Sequence, residues 1–419
     1  MEVGDMDRRT LLKGGGAAFA GLSVLKVAGP AHAFPGEPGE EEVLHWLGEP
    51  PPEPGIPNLL DWEQLESWYS PDHQFFVVSH FDEPVLDAAD WRLRIGGLVR
   101  RKPSLTLADL KARSRREVDF TIECSGNHGF PAFIGAVANA RWAGTPLAPI
   151  LKEAGVRKNG IEVVFWGADS SDTKTKIRDN SGVLSDGNSG IGVPDIDGQQ
   201  GRLDLTINEY FARSMTLADA MNPDNLLCYE MNGAPLPVSH GFPVRLIAPG
   251  WYGVANVKWL THIEVWDQQY RGQFMARDYV TIREQVRDGK VVWTFANVRH
   301  DRLKSSPAKV VRRGDRYRIM GAAWGAPIAR VEVQVDEGPW RPARVHRQPS
   351  YGRDAKEFAW KFWTRDWENA TPGEHTIRSR AYDVHGNRQP APDDPFLAGK
   401  VTFWESNGQI TRRVRVPAS

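Results

Sequence analysis

The sequence predicts an α+β fold class, in which a mixed region of short strands and short helices is followed by an immunoglobulin-like β-sandwich. Two observations in the 419 residues carry this prediction. Between about residues 59 and 297, strand and helix patterns alternate without a regular strand–helix–strand rhythm, which is typical of α+β proteins. After about residue 298, strand patterns separated by turn signals continue without a helical pattern, which indicates an antiparallel sandwich.

Residues 1–33 are predicted to be an export signal rather than part of the fold. Arg8 and Arg9 precede a weakly apolar stretch at residues 14–27, and an A-x-A cleavage motif occupies residues 31–33. The arginine pair indicates the twin-arginine route, which carries folded proteins and therefore suits a chain that loads its cofactor before export. We expect a periplasmic protein that begins near Phe34; the alternative is a surface helix with two basic residues.

The mixed region is preceded by an arm at residues 34–58, whose Pro, Gly and Glu content predicts an extended segment that buries little apolar surface. Thr106 is the expected N-cap of a helix over residues 104–111, with Asp109 in its first turn. A second helix is predicted at residues 216–221. The Gly- and Asp-rich segment 179–201 predicts an insertion or the rim of a site. Strands are expected at residues 91–95, 118–123, 161–166, 226–230, 244–247 and 257–265.

The sandwich is predicted to span residues 298–419. Turn signals at residues 336–338 and 385–387 separate its strands. The predicted strands lie at residues 317–322, 329–335, 375–383 and 400–405.

Composition and charge exclude several classes of protein. The 52 basic and 53 acidic residues leave a net charge of −1, so a nucleic-acid partner is not expected. No apolar run approaches the roughly 18 residues that span a bilayer. The two cysteines are Cys124 and Cys228, and a disulfide between them is possible from their number alone. The sequence contains no Cys-x-x-Cys-His motif, so no c-type haem is expected on this chain.

Cys124 is the first candidate for chemistry, because a predicted strand carries it into a loop of small residues, Ser125 and Gly126. Small residues let a bulky group approach the backbone closely. A thiolate is a soft ligand for a transition metal. One cysteine cannot hold zinc or an iron–sulfur cluster, but it is sufficient for a metal that brings its own chelate. From this chemistry alone, a buried core cysteine explains the pattern equally well.

A series of segments in this chain resembles the sulfite oxidase family of molybdopterin-dependent oxidoreductases, in the form of an exported bacterial enzyme. The segments run in order over about 200 residues: FTIECSGN at 120–127, ARWAGTPL at 140–147, YEMNGAPLP at 229–237, HGFPVR at 240–245, PG at 249–250, NVKW at 256–259 and RDY at 277–279. With the sandwich, which resembles the family's dimerisation domain, the resemblance covers most of residues 60–415. It implies a sulfite-oxidase-type molybdopterin-binding domain over residues 59–297 and a homodimer.

The resemblance also implies a molybdenum–molybdopterin cofactor with Cys124 as its metal ligand, which argues against a disulfide and leaves Cys228 as a core residue. Arg245 would offer bidentate donors to the cofactor phosphate, and Lys258 would add a point charge. Tyr279 would lie beside the metal, where its hydroxyl could orient substrate or move a proton. His240 would add a further hydrogen bond. The alternative for Arg245, Lys258 and His240 is an ordinary surface charge or a core histidine. The implied cofactor-binding residues are His80, Asp169 (with Asp172 as a neighbouring alternative), His240, Arg245, Asn256 and Lys258.

Two positions depart from the family pattern. Val78, two residues before His80, and Gly129, five residues after Cys124, stand where the family carries arginines that bind the sulfite dianion. Loss of two charged hydrogen bonds, each about 1.5–3 kcal/mol, is expected to weaken sulfite recognition. A sulfur or oxo substrate with less charge than sulfite therefore becomes a candidate. The side chains considered as replacements are His128, Arg141 and Arg365.

The function expected from the resemblance is oxygen-atom transfer on a sulfur-containing substrate, in the manner of a sulfite dehydrogenase. A separate cytochrome is expected to accept the electrons. A reductase of sulfoxides or other S- or N-oxides on the same cofactor is the alternative. A cofactor-free secreted binding protein is a third possibility, and the joint occurrence of Cys124, His240, Arg245 and Lys258 argues against it.

Overall fold

The computed structural model describes residues 42–178, 202–347 and 358–418. The predicted export signal, residues 34–41 of the predicted arm and the Gly- and Asp-rich segment 179–201 lie outside the described residues. In the described part of the chain, β-structure predominates and the helices are short. None of the helices described is long and apolar enough to cross a membrane.

The strands before residue 298 are β1 Glu42–Leu44, β2 Leu93–Gly97, β3 Ser104–Leu105, β4 Arg116–Glu123, β5 Val137–Pro146, β6 Glu162–Arg178, β7 Arg202–Thr216, β8 Leu226–Met231, β9 Ala234–Pro235, β10 Arg245–Ile247, β11 Leu260–Trp266, β12 Val280–Arg287 and β13 Lys290–Asn297. The strands after it are β14 Lys304–Arg313, β15 Arg316–Trp324, β16 Ile328–Val335, β17 Arg341–Val345, β18 Lys361–Trp367, β19 Gly373–Asp383 and β20 Ile410–Val416. The helices are α1 Leu107–Lys111, α2 Leu147–Ala154, α3 Leu217–Ala220, α4 Gln273–Ala276 and α5 Pro395–Ala398.

The first region contains two larger sheets and a hairpin. One sheet has the antiparallel order β10-β8-β5-β4, with β9 paired to β8. The second has the order β3-β2-β11-β6-β7, in which β2 and β11 are parallel. β12 and β13 form a separate two-stranded hairpin. This mixture of short helices with parallel and antiparallel strands confirms the predicted α+β character of the region.

Helix α1 begins at the N-cap that the sequence predicted. The Thr106 side chain accepts a hydrogen bond from the Asp109 amide at 3.0 Å, and the Asp109 carboxylate accepts one from the Thr106 amide at 2.8 Å. This reciprocal capping box satisfies two amides that a helix start would otherwise leave unpaired. The prediction of Thr106 as N-cap is confirmed, although residues 104 and 105 form β3 rather than helix.

The second region is a sheet of antiparallel strands in the order β1-β14-β15-β18-β17-β16-β19-β20. It folds back on itself so that β14 packs against β19, and the Ser305 and Ser379 hydroxyls meet there at 2.9 Å. The enclosed core includes Val310, Trp363 and Ile377, all fully buried. The predicted antiparallel sandwich is confirmed.

Two predictions for individual segments were wrong. Residues 400–405 do not form a strand, because their backbone amides pair with distant carbonyls: Val401 with Ile282 at 3.0 Å and Glu405 with Ser125 at 2.7 Å. The last strand is instead β20. The predicted arm also buries apolar surface, because β1 pairs with β14 and the Trp46 indole donates to the Ala308 carbonyl at 2.9 Å.

Candidate active site and cofactor pocket

A cavity that is partly open to solvent lies in the first region. The structure brings all eight predicted site residues to its wall, although they come from six separate segments of the chain. They are His80, Cys124, Asp169, His240, Arg245, Asn256, Lys258 and Tyr279. The alternative carboxylate, Asp172, is exposed and pairs with Asn208, so Asp169 is the one that faces the cavity.

Cys124 lines the cavity and directly follows the last residue of β4. Its amide donates to the Ala136 carbonyl and its carbonyl accepts from the Asn127 amide, both at 2.9 Å. Gly126 is tightly enclosed, because a Cβ atom there would lie 3.2 Å from the rings of Phe133 and Phe403. Burial raises the pKa of the Cys124 thiol to about 11, so a soft metal must displace its proton on binding.

His80 and Tyr279 form a hydrogen-bonded pair at the same cavity. The His80 Nε2 and the Tyr279 hydroxyl oxygen are 2.6 Å apart. The imidazole stacks on Phe211 with ring centres 4.8 Å apart. Burial lowers the pKa of His80 to about 3 and raises that of Tyr279 well above 10. At neutral pH the imidazole is therefore neutral and the phenol keeps its proton.

Two cations line the cavity, and their hydrogen bonds go to neutral acceptors. Lys258 Nζ donates to the Ser79 hydroxyl at 2.7 Å and to the Ser239 carbonyl at 2.9 Å. Arg245 donates to the carbonyls of His240 at 3.0 Å and Asn256 at 2.9 Å. Burial lowers the pKa of Lys258 to about 7 and that of Arg245 to about 10. Buried positive charge held by neutral groups is a site for an anion.

Of the remaining predicted residues, Asp169 has a free oxygen, whereas His240 and Asn256 form hydrogen bonds to the backbone around the cavity. Asp169 Oδ1 is buried without a hydrogen-bond partner, and burial raises the pKa of this carboxyl to about 6. His240 Nε2 donates to the Asp72 carbonyl at 3.1 Å. The Asn256 amide is used by the backbone: it accepts from the Ala248 amide at 2.8 Å and donates to the Tyr252 carbonyl at 3.1 Å. Asp169 therefore has hydrogen-bonding capacity left for a ligand.

These donor groups fit a molybdopterin cofactor. Cys124 offers one soft sulfur ligand, which is sufficient for a metal already chelated by the pterin dithiolene. Lys258 and Arg245 offer the charge that a terminal phosphate requires. The unpaired oxygen of Asp169 can accept from the N–H groups of a pterin ring. The residues present therefore satisfy the chemical requirements of the group.

The two positions that depart from the family pattern differ in their surroundings. Val78 lines the cavity and leaves an apolar surface there. Gly129 has no room for a side chain, because a Cβ atom would overlap the carbonyl oxygen of Phe403. His128, one of the replacements considered, is neutral, because burial lowers its pKa well below 6.5. Neither His128 nor the other two, Arg141 and Arg365, lines the cavity.

Sequence reasoning missed several residues of this site. Ser79 and Ser239, which hold Lys258, directly precede the predicted histidines and could have been found by extending those motifs. Phe403 and Trp404 had no such signal, because only the tertiary fold brings them to the site. The Trp404 ring lies with its centre 4.4 Å from that of Tyr279.

Two family models match this chain. One is described as an oxidoreductase molybdopterin binding domain and matches residues 80–183 and 196–274. The other is described as a Mo-co oxidoreductase dimerisation domain and matches residues 292–403. Together they cover both regions of the fold.

Curated relatives and a solved structure agree with these models. Mitochondrial sulfite oxidase of Drosophila melanogaster is 30% identical over 78% of this chain and 56% of its own length. The Rattus norvegicus protein is 31% identical over 82% and 59%. The chain thus spans a little over half the length of these relatives. Sulfane dehydrogenase SoxCD from Paracoccus pantotrophus superposes with a TM-score of 0.67 and 25% identity, over 91% of each chain.

Proposed function

Because the chain belongs to the sulfite oxidase family of molybdopterin-dependent oxidoreductases, we propose that it transfers oxygen atoms at a molybdenum centre ligated by Cys124, with a sulfur compound as substrate. The observation that carries the proposal is the shared cavity. It combines the Cys124 thiol, the hydrogen-bonded pair of His80 and Tyr279, and two cations held by neutral groups.

The bound cofactor would supply the two-electron oxygen-atom transfer. Cys124 would ligate the metal, and Arg245 and Lys258 would neutralise the phosphate. Tyr279 would donate its hydroxyl hydrogen bond to the substrate, because its raised pKa keeps the phenol protonated. His80 Nε2 would carry the imidazole proton and donate to the Tyr279 oxygen across the 2.6 Å contact, which holds the hydroxyl in place.

Oxidation of the sulfur compound is the direction that we propose. The relatives above are named sulfite oxidases and the structural neighbour is a sulfane dehydrogenase. Val78 favours a substrate with less charge than sulfite, and this keeps reduction of a sulfoxide or other S- or N-oxide as a second candidate. Assays with sulfite as reductant and methionine sulfoxide as oxidant separate the two directions.

A separate electron carrier and a second copy of the chain complete the proposal. We propose a separate cytochrome as the electron acceptor; the support from the sequence is that it contains no Cys-x-x-Cys-His motif for a c-type haem. The match to a dimerisation domain supports a homodimer.

We also propose export to the periplasm by the twin-arginine route. The support is Arg8 and Arg9 ahead of a weakly apolar stretch. The double substitution Arg8→Lys and Arg9→Lys should leave the precursor in the cytoplasm. Unchanged delivery of that variant to the periplasm would point to the ordinary secretory route.

Metal analysis of two cysteine variants tests the proposed function. Wild-type protein should contain about one molybdenum per chain, and Cys124→Ser should lose turnover while staying folded, because serine is a poor soft-metal ligand. Cys228→Ser is the matched control, since Cys228 is buried in the core and its Sγ donates to the Glu230 carbonyl at 3.2 Å. A fully active Cys124→Ser variant would refute the assignment.

A further inference from the structure

The carboxylate next to the metal-ligating cysteine is held by the second region of the fold. Glu123 immediately precedes Cys124 and is fully buried. Its Oε1 lies 2.5 Å from Lys304 Nζ on β14, and its Oε2 accepts from the Trp324 indole on β15 at 2.9 Å. The side chains of Glu123 and Lys304 are 0% and 1% exposed. This ion pair therefore joins the cysteine strand directly to the sandwich.

The same ion pair also holds the chain that follows Cys124. Asn127 Nδ2 donates to Glu123 Oε1 at 2.8 Å, and Lys304 Nζ donates to the Asn127 carbonyl at 3.3 Å. The Asn127 side chain accepts from the Ala136 amide at 3.2 Å, while its own amide donates to the Cys124 carbonyl at 2.9 Å. Contacts of Lys304 and Glu123 thus fix the backbone on both sides of Cys124.

A requirement for stability does not by itself explain a charged pair at this place. Desolvation of two buried ions offsets much of their attraction, and a well-packed apolar pair is often as stable. An ion pair with several hydrogen bonds differs from an apolar pair in that it defines direction and distance closely. This property is relevant where a single side chain must present its sulfur at a defined position.

We propose that Lys304 and Glu123 are positioning residues, through which the sandwich sets the place of the Cys124 sulfur at the metal centre. The inference rests on the proposed function, because it takes Cys124 as the metal ligand. Lys304 touches neither substrate nor cofactor in this assignment and acts through Glu123 and Asn127.

Three variants test the proposal. Lys304→Met removes the ammonium and leaves the buried Glu123 carboxylate without its cation. The double substitution Glu123→Gln with Lys304→Met removes both charges, so it avoids an unpaired buried ion and should fold even where the single variant does not. Lys361→Met is the matched control, since this lysine also lies on a strand of the sandwich but donates to the Ile328 carbonyl at 2.8 Å.

Hydrogen exchange measures how well the amides of the cysteine loop are protected, and it needs no metal. In cofactor-free protein of the double variant, the amides of Cys124 and Asn127 should exchange about tenfold faster than in wild type, while amides of β16 stay unchanged. The control should match wild type at Cys124 and Asn127. Wild-type exchange at Cys124 and Asn127 in the double variant would overturn the proposal.

Spectroscopy of molybdenum-loaded protein measures the effect on the ligand itself. The double variant should shift the molybdenum(V) EPR signal and the thiolate absorption band, and should lower kcat by about tenfold with KM within about twofold. Unchanged spectra and kcat would overturn the proposal. Absence of molybdenum from wild-type protein would instead count against the proposed function, whereas the exchange measurement would still decide whether Lys304 holds the loop.

Discussion

At the scale of single residues, the cavity contains positive charge whose hydrogen-bond partners are all neutral groups. Lys258 and Arg245 form no ion pair with a carboxylate among the residues that the structure describes, and burial lowers the pKa of both groups. A protein selected only for stability would avoid this arrangement, because buried charge without a partner is costly. The arrangement is explained if an anionic ligand supplies the missing partner.

Replacement of Lys258 should therefore stabilise the cofactor-free protein while it weakens cofactor binding. The folded-state pKa of Lys258 is about 7, below its ordinary value of 10.5, so between these pH values the unfolded chain binds a proton that the folded chain does not. Stability is lost as pH falls through that window and is constant below it. Lys258→Met should raise the free energy of unfolding by about 1–4 kcal/mol at pH 6, with a smaller gain at pH 9.

Denaturant unfolding at the two pH values measures this prediction. Lys158→Met serves as the control, because Lys158 is exposed and its replacement should change little. Molybdenum content should fall in Lys258→Met but not in the control. A destabilised apoprotein at pH 6 would contradict the prediction.

A second residue-scale prediction concerns sulfite. Val78 lines the cavity, so Val78→Arg places a charge where a dianion can use it, and the KM for sulfite should fall by about tenfold or more. The KM for an uncharged substrate should change less, and molybdenum content should stay the same. Steady-state kinetics with sulfite test this prediction. A low micromolar KM in wild type, with no improvement in the variant, would contradict it and support sulfite as the natural substrate.

Gly129 provides the contrast to Val78. A Cβ atom there would overlap the Phe403 carbonyl, so Gly129→Arg should disturb the loop rather than improve binding. The sequence alone made the two positions equivalent, because it did not reveal that Phe403 covers one of them. Motif residues such as His240 and Arg245 were predictable because their chemistry and order are local, whereas the Phe403 contact depends on the tertiary fold.

At the scale of elements, the sequence predicted correctly those features that depend on contacts between neighbouring residues. Helix α1 has its capping box within four residues, and its N-cap was found. Residues 400–405 have strand-like composition, but their amides pair with Ile282 and Ser125, more than 100 positions away. Composition also described the segment before residue 59 as an arm, although Trp46 in it is buried in the sandwich core.

The buried Trp46 side chain allows a test of whether β1 and the residues after it stabilise the sandwich. Trp46→Ala should cost about 3–5 kcal/mol of unfolding free energy, because the indole is buried and also loses its hydrogen bond to Ala308. Tyr210→Ala is the control, since Tyr210 on β7 is 46% exposed. Equal stability of the two variants would mean that the N-terminal segment does not hold the sandwich.

At the scale of the whole molecule, the two regions are less separate than the sequence indicated. β1 comes before the first region in the chain but joins the sheet of the second. In return, the second region reaches the cysteine loop through Lys304 and Phe403. Domain boundaries near residues 59 and 298 remain predictions from composition and turn signals, and these carry no information about such crossings.

The match to a dimerisation domain over residues 292–403 leads to the last prediction, because most of the sandwich lies within that match. Exposed apolar side chains also lie at its N-terminal boundary, where Trp293 and Phe295 on β13 are 51% and 70% exposed. Contiguous exposed apolar patches are a feature of protein–protein contact surfaces.

We expect the purified protein to form a two-fold symmetric dimer, since closed two-fold pairs are the commonest homo-oligomers and need only one self-complementary patch. Light scattering should give twice the chain mass at micromolar concentration. If the interface is small, dilution should lower this mass. Lys258→Met, whose change lies inside the cavity, should leave the mass unaltered. A monomer throughout the micromolar range would show that the sandwich serves this chain as a support for the cysteine loop and not as a contact between copies.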